Sequence, residues 1–210
     1  YRRLGPIAHT PPATDASMTP APAAVLPGTP PQYTVNPRAL ERWAAETPER
    51  VYLGERLNDG WRTLTYRQAL DAVRRIGQSL LDTGLGAERP VAILSENSVD
   101  HALLALGAMH VGVPVAPIST AYSLLSRDFG KLKTIFAMLR PGLVYASDGA
   151  RFAPALGALP REGATVVLGT HADAVARAVP FSRMLDNAAG SGVAKAFAGI
   201  GPETVAKILY

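Results

Sequence analysis

The sequence predicts an α/β protein built on an open, doubly wound, mostly parallel sheet with flanking helices. Three observations carry this expectation. Residues 89–126 read as strand, helix, strand and then a polar loop: 91–94 is a short apolar strand, 99–111 is apolar on nearly every side, and 113–118 is a second apolar run. A strand, a helix and a strand at this spacing make one crossover of a parallel sheet, and a helix apolar all round must be sandwiched between other elements. Strand-like runs opening at Val91, Val113, Leu143 and Thr165 are separated by helical pattern, the alternation of an α/β sheet. Finally, 210 residues with 48% hydrophobic content suffice for one full domain core.

Taken in order, residues 1–37 hold nine of the 18 prolines and only three charges, Arg2, Arg3 and Asp15. Such a Pro-rich, non-periodic leader has little to bury and is expected to be extended or disordered; a docking segment for another domain is the other reading. The domain proper is expected over residues 38–210. Asn36 before Pro37 suits an N-cap with Pro in the first turn, and Leu40, Trp43 and Ala44 give that helix an apolar side closed by Pro48. Two short strands, 51–56 and 62–64, flank Asn58-Asp59-Gly60, a hairpin signal. Thr65 with Gln68 three residues on matches a capping box. The helix behind it carries Leu70, Val73, Gly77, Leu80 and Leu81 on one face and stops at Gly84. After the central unit, Ser119-Thr120-Ala121-Tyr122-Ser123 reads as a hydroxyl-rich loop. A helix is expected over 126–140, with Phe129, Leu132, Ile135, Phe136 and Leu139 buried, and Pro141-Gly142 ending it. There follow a strand over 143–146, a helix over 149–159 and a strand over 165–168. A short amphipathic helix over 180–187 would turn Phe181, Met184 and Leu185 inward. A small-residue loop over 188–201 and a last strand over 204–210 complete the chain.

Composition excludes several classes. The formal net charge is +4, and the basic residues never cluster into a run, so no nucleic-acid footprint is read. Cysteine is absent, which removes disulfides and thiolate metal sites. The longest apolar run, residues 102–109, is too short to span a bilayer, and no signal-peptide pattern opens the chain. A cytoplasmic setting is expected. There is no GxSxG elbow, HExxH or Walker loop. Gly84-Leu85-Gly86 lacks the third glycine of a dinucleotide fingerprint and follows a helix. His101 and His110 sit nine residues apart on one helix, about two and a half turns, so they cannot share a ligand and are expected to be structural. Ser95, Glu96 and Asn97 follow one parallel strand and residues 119–123 the next, where open α/β sheets keep their ligand crevices. These loops either rim a pocket or supply helix caps at Asn97 or Ser98 and at Ser123 or Ser126.

Two stretches go beyond pattern. LTYRQAL (residues 64–70) and GAMHVGVPVAPI (residues 107–118) resemble the first two core motifs of the adenylate-forming enzymes, the superfamily of acyl- and aryl-CoA ligases, luciferases and peptide-synthetase adenylation domains. The intervening RPVAILSENSVDHALLAL fits the same spacing. Residues 114–152, PVAPISTAYSLLSRDFGKLKTIFAMLRPGLVYASDGARF, and the closing GPETVAKILY look most like feruloyl-CoA synthases. The resemblance covers residues 40–210 and is weakest over 170–199. It implies the N-terminal subdomain of an ATP-dependent carboxylate–CoA ligase, with ATP, CoA and Mg2+ as cofactors and a hydroxycinnamate-like acid as substrate. In that superfamily the Thr-Ser-Gly-Ser-Thr-Gly phosphate loop follows the strand that here ends at Tyr210. The chain is therefore expected to be a fragment cut before that loop. No catalytic, cofactor-binding or metal-binding residue is carried over, and the chain alone is expected to be inactive. A stand-alone small-molecule binding or protein-interaction module derived from this fold is the alternative.

Overall fold

The computed structural model describes residues 36–58 and 60–210. The Pro-rich leader expected over residues 1–37 lies outside the described residues, apart from its last two positions, which are already helical; Asp59 of the hairpin turn lies outside them as well. Asn36 begins the first helix, α1 (Asn36–Glu46), instead of capping it from outside.

Runs of Val, Ala, Ile and Leu with both faces buried form the sheet. Its strands are β3 (Val91–Leu94), β4 (Val115–Pro117), β5 (Leu143–Asp148), β6 (Thr165–Thr170) and β7 (Val179–Pro180), all parallel, in the order β4-β3-β5-β6-β7. Because side chains alternate across a strand, the sheet divides two cores. Val91, Ile93, Val115, Leu143, Tyr145 and Val167 face one of them. Ala92, Leu94, Ala116, Val144, Ala146, Val166 and Leu168 face the other. Helices on both sides satisfy this double burial, which is why parallel strands read as continuous apolar runs.

The first core is covered by α1, the hairpin of β1 (Val51–Leu57) and β2 (Gly60–Thr65), α2 (Tyr66–Asp82) and α3 (Val99–His110). The hairpin is antiparallel, as the Asn-Asp-Gly turn predicts. The capping box is present: the Gln68 N–H donates to Thr65 Oγ1 at 3.3 Å and the Thr65 N–H to Gln68 Oε1 at 2.9 Å. The buried stripe of α2 is Ala69, Val73, Ile76, Gly77 and Leu80, so Leu70 and Leu81 lie at its half-buried margins and Ile76 replaces them at the centre. Leu85 N–H donates to Leu80 O and Gly84 N–H to Leu81 O, the double bond of a Schellman end, with Gly84 left-handed. Helix α3 crosses α2 at close range. A Cβ on Gly107 would stand 2.6 Å from Ile76 Cγ2 and 3.2 Å from Val73 O, so only a residue without one permits this approach.

The second core is covered by α4 (Ala121–Leu124), α5 (Gly130–Leu139) and α6 (Gly149–Ala158). Helix α5 begins four residues later than expected. The Ser126 hydroxyl accepts the Phe129 N–H at 3.0 Å and Asp128 accepts the Gly130 N–H at 3.1 Å, and this local turn competes with the helix. Leu132, Ile135, Phe136 and Leu139 are buried as the stripe requires.

The carboxyl-terminal third corrects three expectations. Strand β7 has no separate sequence signal, being two residues long. Residues 181–185 form a 3-10 turn with Phe181 and Met184 buried. Residues 188–201 are not all loop: Ser191–Ala198 is a helix, α7. Its Ala-rich run has high helix propensity, but a single fully covered side chain, Val193, anchors it to α2, a burial worth about 1.5–3 kcal/mol. The last strand shrinks to one bridge, Lys207 beside Val115, held by Val115 N–H to Ala206 O and Ile208 N–H to Val115 O.

Candidate functional site

The strand order places a topological switch at β3. From β3 the chain passes to β4 on one side, then crosses to β5 on the other. Crevices open at the carboxyl ends of the strands flanking such a point. The residues there are Ser95, Glu96 and Asn97 after β3, Ser147 and Asp148 closing β5, and Thr170 closing β6 with His171 after it.

These loops are joined by polar contacts. Arg151 Nη2 reaches Glu96 Oε1 at 3.0 Å, and the Ser147 hydroxyl donates to Glu96 Oε2 at 3.5 Å. The Glu96 backbone N–H holds its carboxyl below the usual range, burial opposes this, and Arg151 and Ser147 add to it. Both members of the Glu96–Arg151 pair are about half exposed, so the pair orients the two loops more than it stabilises the fold. Asp148 caps α6, accepting from the Ala150 N–H at 2.8 Å and the Arg151 N–H at 3.2 Å. Its Oδ1 also lies 3.1 Å from His171 Nδ1. Burial pushes the Asp148 carboxyl up, but the backbone N–H groups and the His171 ring outweigh it and hold the carboxyl low. His171 adopts φ 49°, a left-handed conformation uncommon for a side chain of its size. Its carbonyl lies against Gly149, where a Cβ would collide with it. The β5 and β6 loops thus meet backbone to backbone, and the Thr170 hydroxyl donates to Ser147 O at 3.3 Å.

The hairpin joins this end of the sheet through α3. Ser98 is the N-cap, accepting the His101 N–H at 3.1 Å. Glu55 on β1 accepts the Val99 N–H at 3.2 Å, and Arg62 on β2 reaches Asp100 at 2.7 Å and Glu55 at 3.7 Å. Carboxylates at a helix N-terminus are favoured by its unpaired N–H groups. An open cavity of about 400 Å3 lies here, lined by Leu53, Gly54, Glu55, Arg56, Asn97 and Ser98. Tyr145 lies beneath; burial, with the Asp100 carboxylate next, pushes its phenol up.

The sequence-expected residues are only partly brought together. Asn97 and Ser98 line the cavity, whereas residues 119–123 do not. Residues 121–124 form a helical turn, α4, in place of a loop, and the Ser123 hydroxyl is buried without a partner among the described residues. Capping is done by Ser98, and the Ser126 hydroxyl accepts a backbone N–H three residues on. His101 Nδ1 lies 3.2 Å from Glu96 O, and burial lowers the pKa of its ring. His110, at the far end of α3, is buried; desolvation lowers its pKa to about 4, with Glu41 opposing and Arg74 assisting. Glu55, Arg62, Asp148, Arg151 and His171 escaped sequence reasoning. Asp148 had a signal, since Asp before a helical run is an N-cap signature, and Glu55 and Arg62 are opposite one another in the expected hairpin; the remaining contacts join residues far apart in the chain. Among the described residues no three His, Asp or Glu side chains could hold a metal ion, and no helix is long and apolar enough to cross a membrane.

Residues 40–128 match the model of the AMP-binding enzyme family. Over 100 residues, 48% of this chain, the sequence is 33% identical to a non-canonical nonribosomal peptide synthetase, CymA, from Salinispora arenicola, of which the match covers 1%. The fold superposes on a benzoate CoA ligase from Burkholderia xenovorans with TM-score 0.63 and 21% identity, over 83% of this chain and 32% of that one. It superposes on the Mycobacterium tuberculosis fatty acyl CoA synthetase with TM-score 0.63 and 20% identity, over 83% and 32%. A coronafacic acid ligase from Pectobacterium brasiliense gives TM-score 0.67 at 12% identity, over 83% and 33%. The chain thus spans about a third of the length of these solved structures, and its α/β fold matches the N-terminal domain of adenylate-forming enzymes.

Proposed function

We propose that this chain, whose residues 40–128 match the N-terminal region of the AMP-binding enzyme family, supplies the amino-terminal part of an ATP-dependent carboxylate–CoA ligase. The carboxylate of the acid attacks the α-phosphorus of ATP, giving an acyl-adenylate and pyrophosphate; the CoA thiol then attacks the acyl carbon and AMP leaves. The observation that carries this reading is that the sequence match of residues 40–128 spans α1 through α4 of a fold shared with solved CoA ligases. Its chemical sense lies in turning a poor leaving oxygen into a good one, with charge taken up by backbone amides and Mg2+. The described residues offer no acidic trio for that ion, so no Mg2+ ligand is assigned to them. A hydroxycinnamate such as ferulate is the substrate class we favour, on the resemblance of residues 114–152 and 201–210, and the cytoplasm, where ATP and CoA are found, is the setting.

The experiment is ATP–pyrophosphate exchange and CoA-thioester formation with ferulate, benzoate and a medium-chain fatty acid. It is run on the 210-residue chain and on a longer protein that carries it. We expect exchange with ferulate from the longer protein and none from the 210 residues. Exchange by the 210 residues would overturn the proposed division of labour, and a longer protein active on fatty acid alone would overturn the substrate class. The cavity of about 400 Å3 beside Asn97 favours a second reading, a stand-alone small-molecule module. Saturable binding of a nucleotide, CoA or phenolic acid, lost in a folded Asn97→Ala variant, would support it.

A further inference from the structure

Helix α3 ends at His110, whose side chain is 1% exposed. Three elements face it. From α1, Glu41 Oε1 lies 3.9 Å from Nε2, beyond hydrogen-bond reach. From α2, Arg74 pairs with that same carboxylate at 2.8 Å. From α7, Phe197 stacks on the imidazole with ring centroids 4.3 Å apart and planes 16° from parallel. Nδ1 has no partner among the described residues. Nδ1 is therefore held dry under the Phe197 ring, although in water both nitrogens would be hydrogen-bonded.

Of these three covers α7 is held most lightly. Val193 is its one buried side chain. Surface cavities flank it on both sides, about 430 Å3 next to Glu41, Arg74 and His110, and about 450 Å3 next to Val111, Gly112 and Ile200. Ala196 packs half-buried against the first core, and polar ties lie at the helix edges: the Gly190 N–H to Gln78 Oε1 at 2.8 Å, Arg38 to Ile200 O at 3.2 Å, and Arg38 over the Phe197 ring at 5.4 Å. Segments with few buried contacts open first in a native protein.

We propose that α7 is an acid-released cover: it stays docked while His110 is uncharged and lifts from α1, α2 and α3 when the imidazole takes up a proton. Docked, an imidazolium would leave its Nδ1–H without an acceptor among the described residues, and the carboxylate nearest Nε2 is already engaged by Arg74. Lifted, it would be hydrated on both nitrogens. Burial holds the ring's pKa at about 4 when docked, and opening moves it back toward its ordinary 6.5. Docking is thus fully favoured above pH 6.5 and weakens as pH falls toward 4, and linkage raises the opening equilibrium by up to about 30-fold between pH 8 and pH 5. The device is independent of the ligase reading.

Amide hydrogen exchange on the 210-residue chain at pH 8 and pH 5, corrected for the intrinsic pH dependence of exchange, tests it. The amides of residues 191–200 should lose protection by up to about 30-fold at pH 5 while β3 and β5 keep theirs, and His110→Gln should abolish the difference. Three results would overturn the proposal: protection of 191–200 that does not depend on pH, protection lost in step with β3 and β5, or an equal loss in His110→Gln. Should the glutamine variant not fold, the His110 ring resonance of the unmutated chain decides. Loss of the His110–Phe197 nuclear Overhauser contact as the imidazole takes up its proton supports the cover, and a contact that persists in the protonated ring sinks it.

Discussion

The close crossing of α2 and α3 makes a quantitative prediction from one substitution placed at two sites. Gly107→Ala puts a methyl 2.6 Å from Ile76 Cγ2, 2.9 Å from Ile76 Cβ and 3.2 Å from Val73 O. Carbon atoms pack at about 3.5–4.0 Å, so the helices must separate by about 1 Å or Ile76 must leave its place in the first core. Overpacking of this kind costs about 1–3 kcal/mol. The upper end applies here, because Val73 O is backbone and Ile76 is fully buried with nowhere to turn. Alanine returns about 1 kcal/mol of helix propensity, leaving a net loss of about 2 kcal/mol. Gly157, on the exposed side of α6, has no atom within 4 Å of its would-be Cβ, so Gly157→Ala should show the propensity gain alone, about 1 kcal/mol. For a domain of this size about 2–4 °C accompanies each kcal/mol. Thermal unfolding followed by far-UV circular dichroism should therefore give a Tm about 4–8 °C lower for Gly107→Ala and about 2–4 °C higher for Gly157→Ala. If Gly107→Ala proves as stable as the unmutated chain, the helices do not cross at this distance and the tight-packing explanation fails.

Two further outcomes follow from hydrogen bonds. Thr65→Ala removes the side-chain half of the capping box on α2 and should cost about 1 kcal/mol in urea unfolding, whereas Thr65→Ser should cost far less. Asp148 carries a carboxyl held below its ordinary 3.8 by contacts made only in the folded chain, so its contribution is present above that pH and lost as pH falls through the lower folded value. Asp148→Asn keeps an oxygen to cap α6 but cannot titrate; its stability should decline less steeply below about pH 4 than that of the unmutated chain, and equal acid slopes would contradict the assignment.

The sequence by itself determined the fold class, because the signals involved are local. Val91–Leu94, Val99–His110 and the apolar run ending in β4 announce their structure through length and burial period. Thr65 and Gln68 announce a helix start through chemistry that spans one turn. The same locality explains the misplaced elements. Helix α7 is small and Ala-rich, so its pattern looks like a loop until Val193 finds α2. Residues 204–210 have strand-like side chains but find only Val115 to pair with.

What only the tertiary structure decided is which loops meet. The turn at Ser95–Asn97 pairs with Ser147 of β5 and Arg151 of α6, not with residues 119–123 after β4. That choice rests on the strand order, which puts β3 between β4 and β5. Contacts such as Glu96 to Arg151, 55 residues apart, or His171 to Asp148, 23 apart, leave no periodic trace. Each partner alone is an ordinary surface residue. Only the sheet brings them within 3 Å or so, and the loop-closure entropy this costs is offset by apolar burial elsewhere in the core.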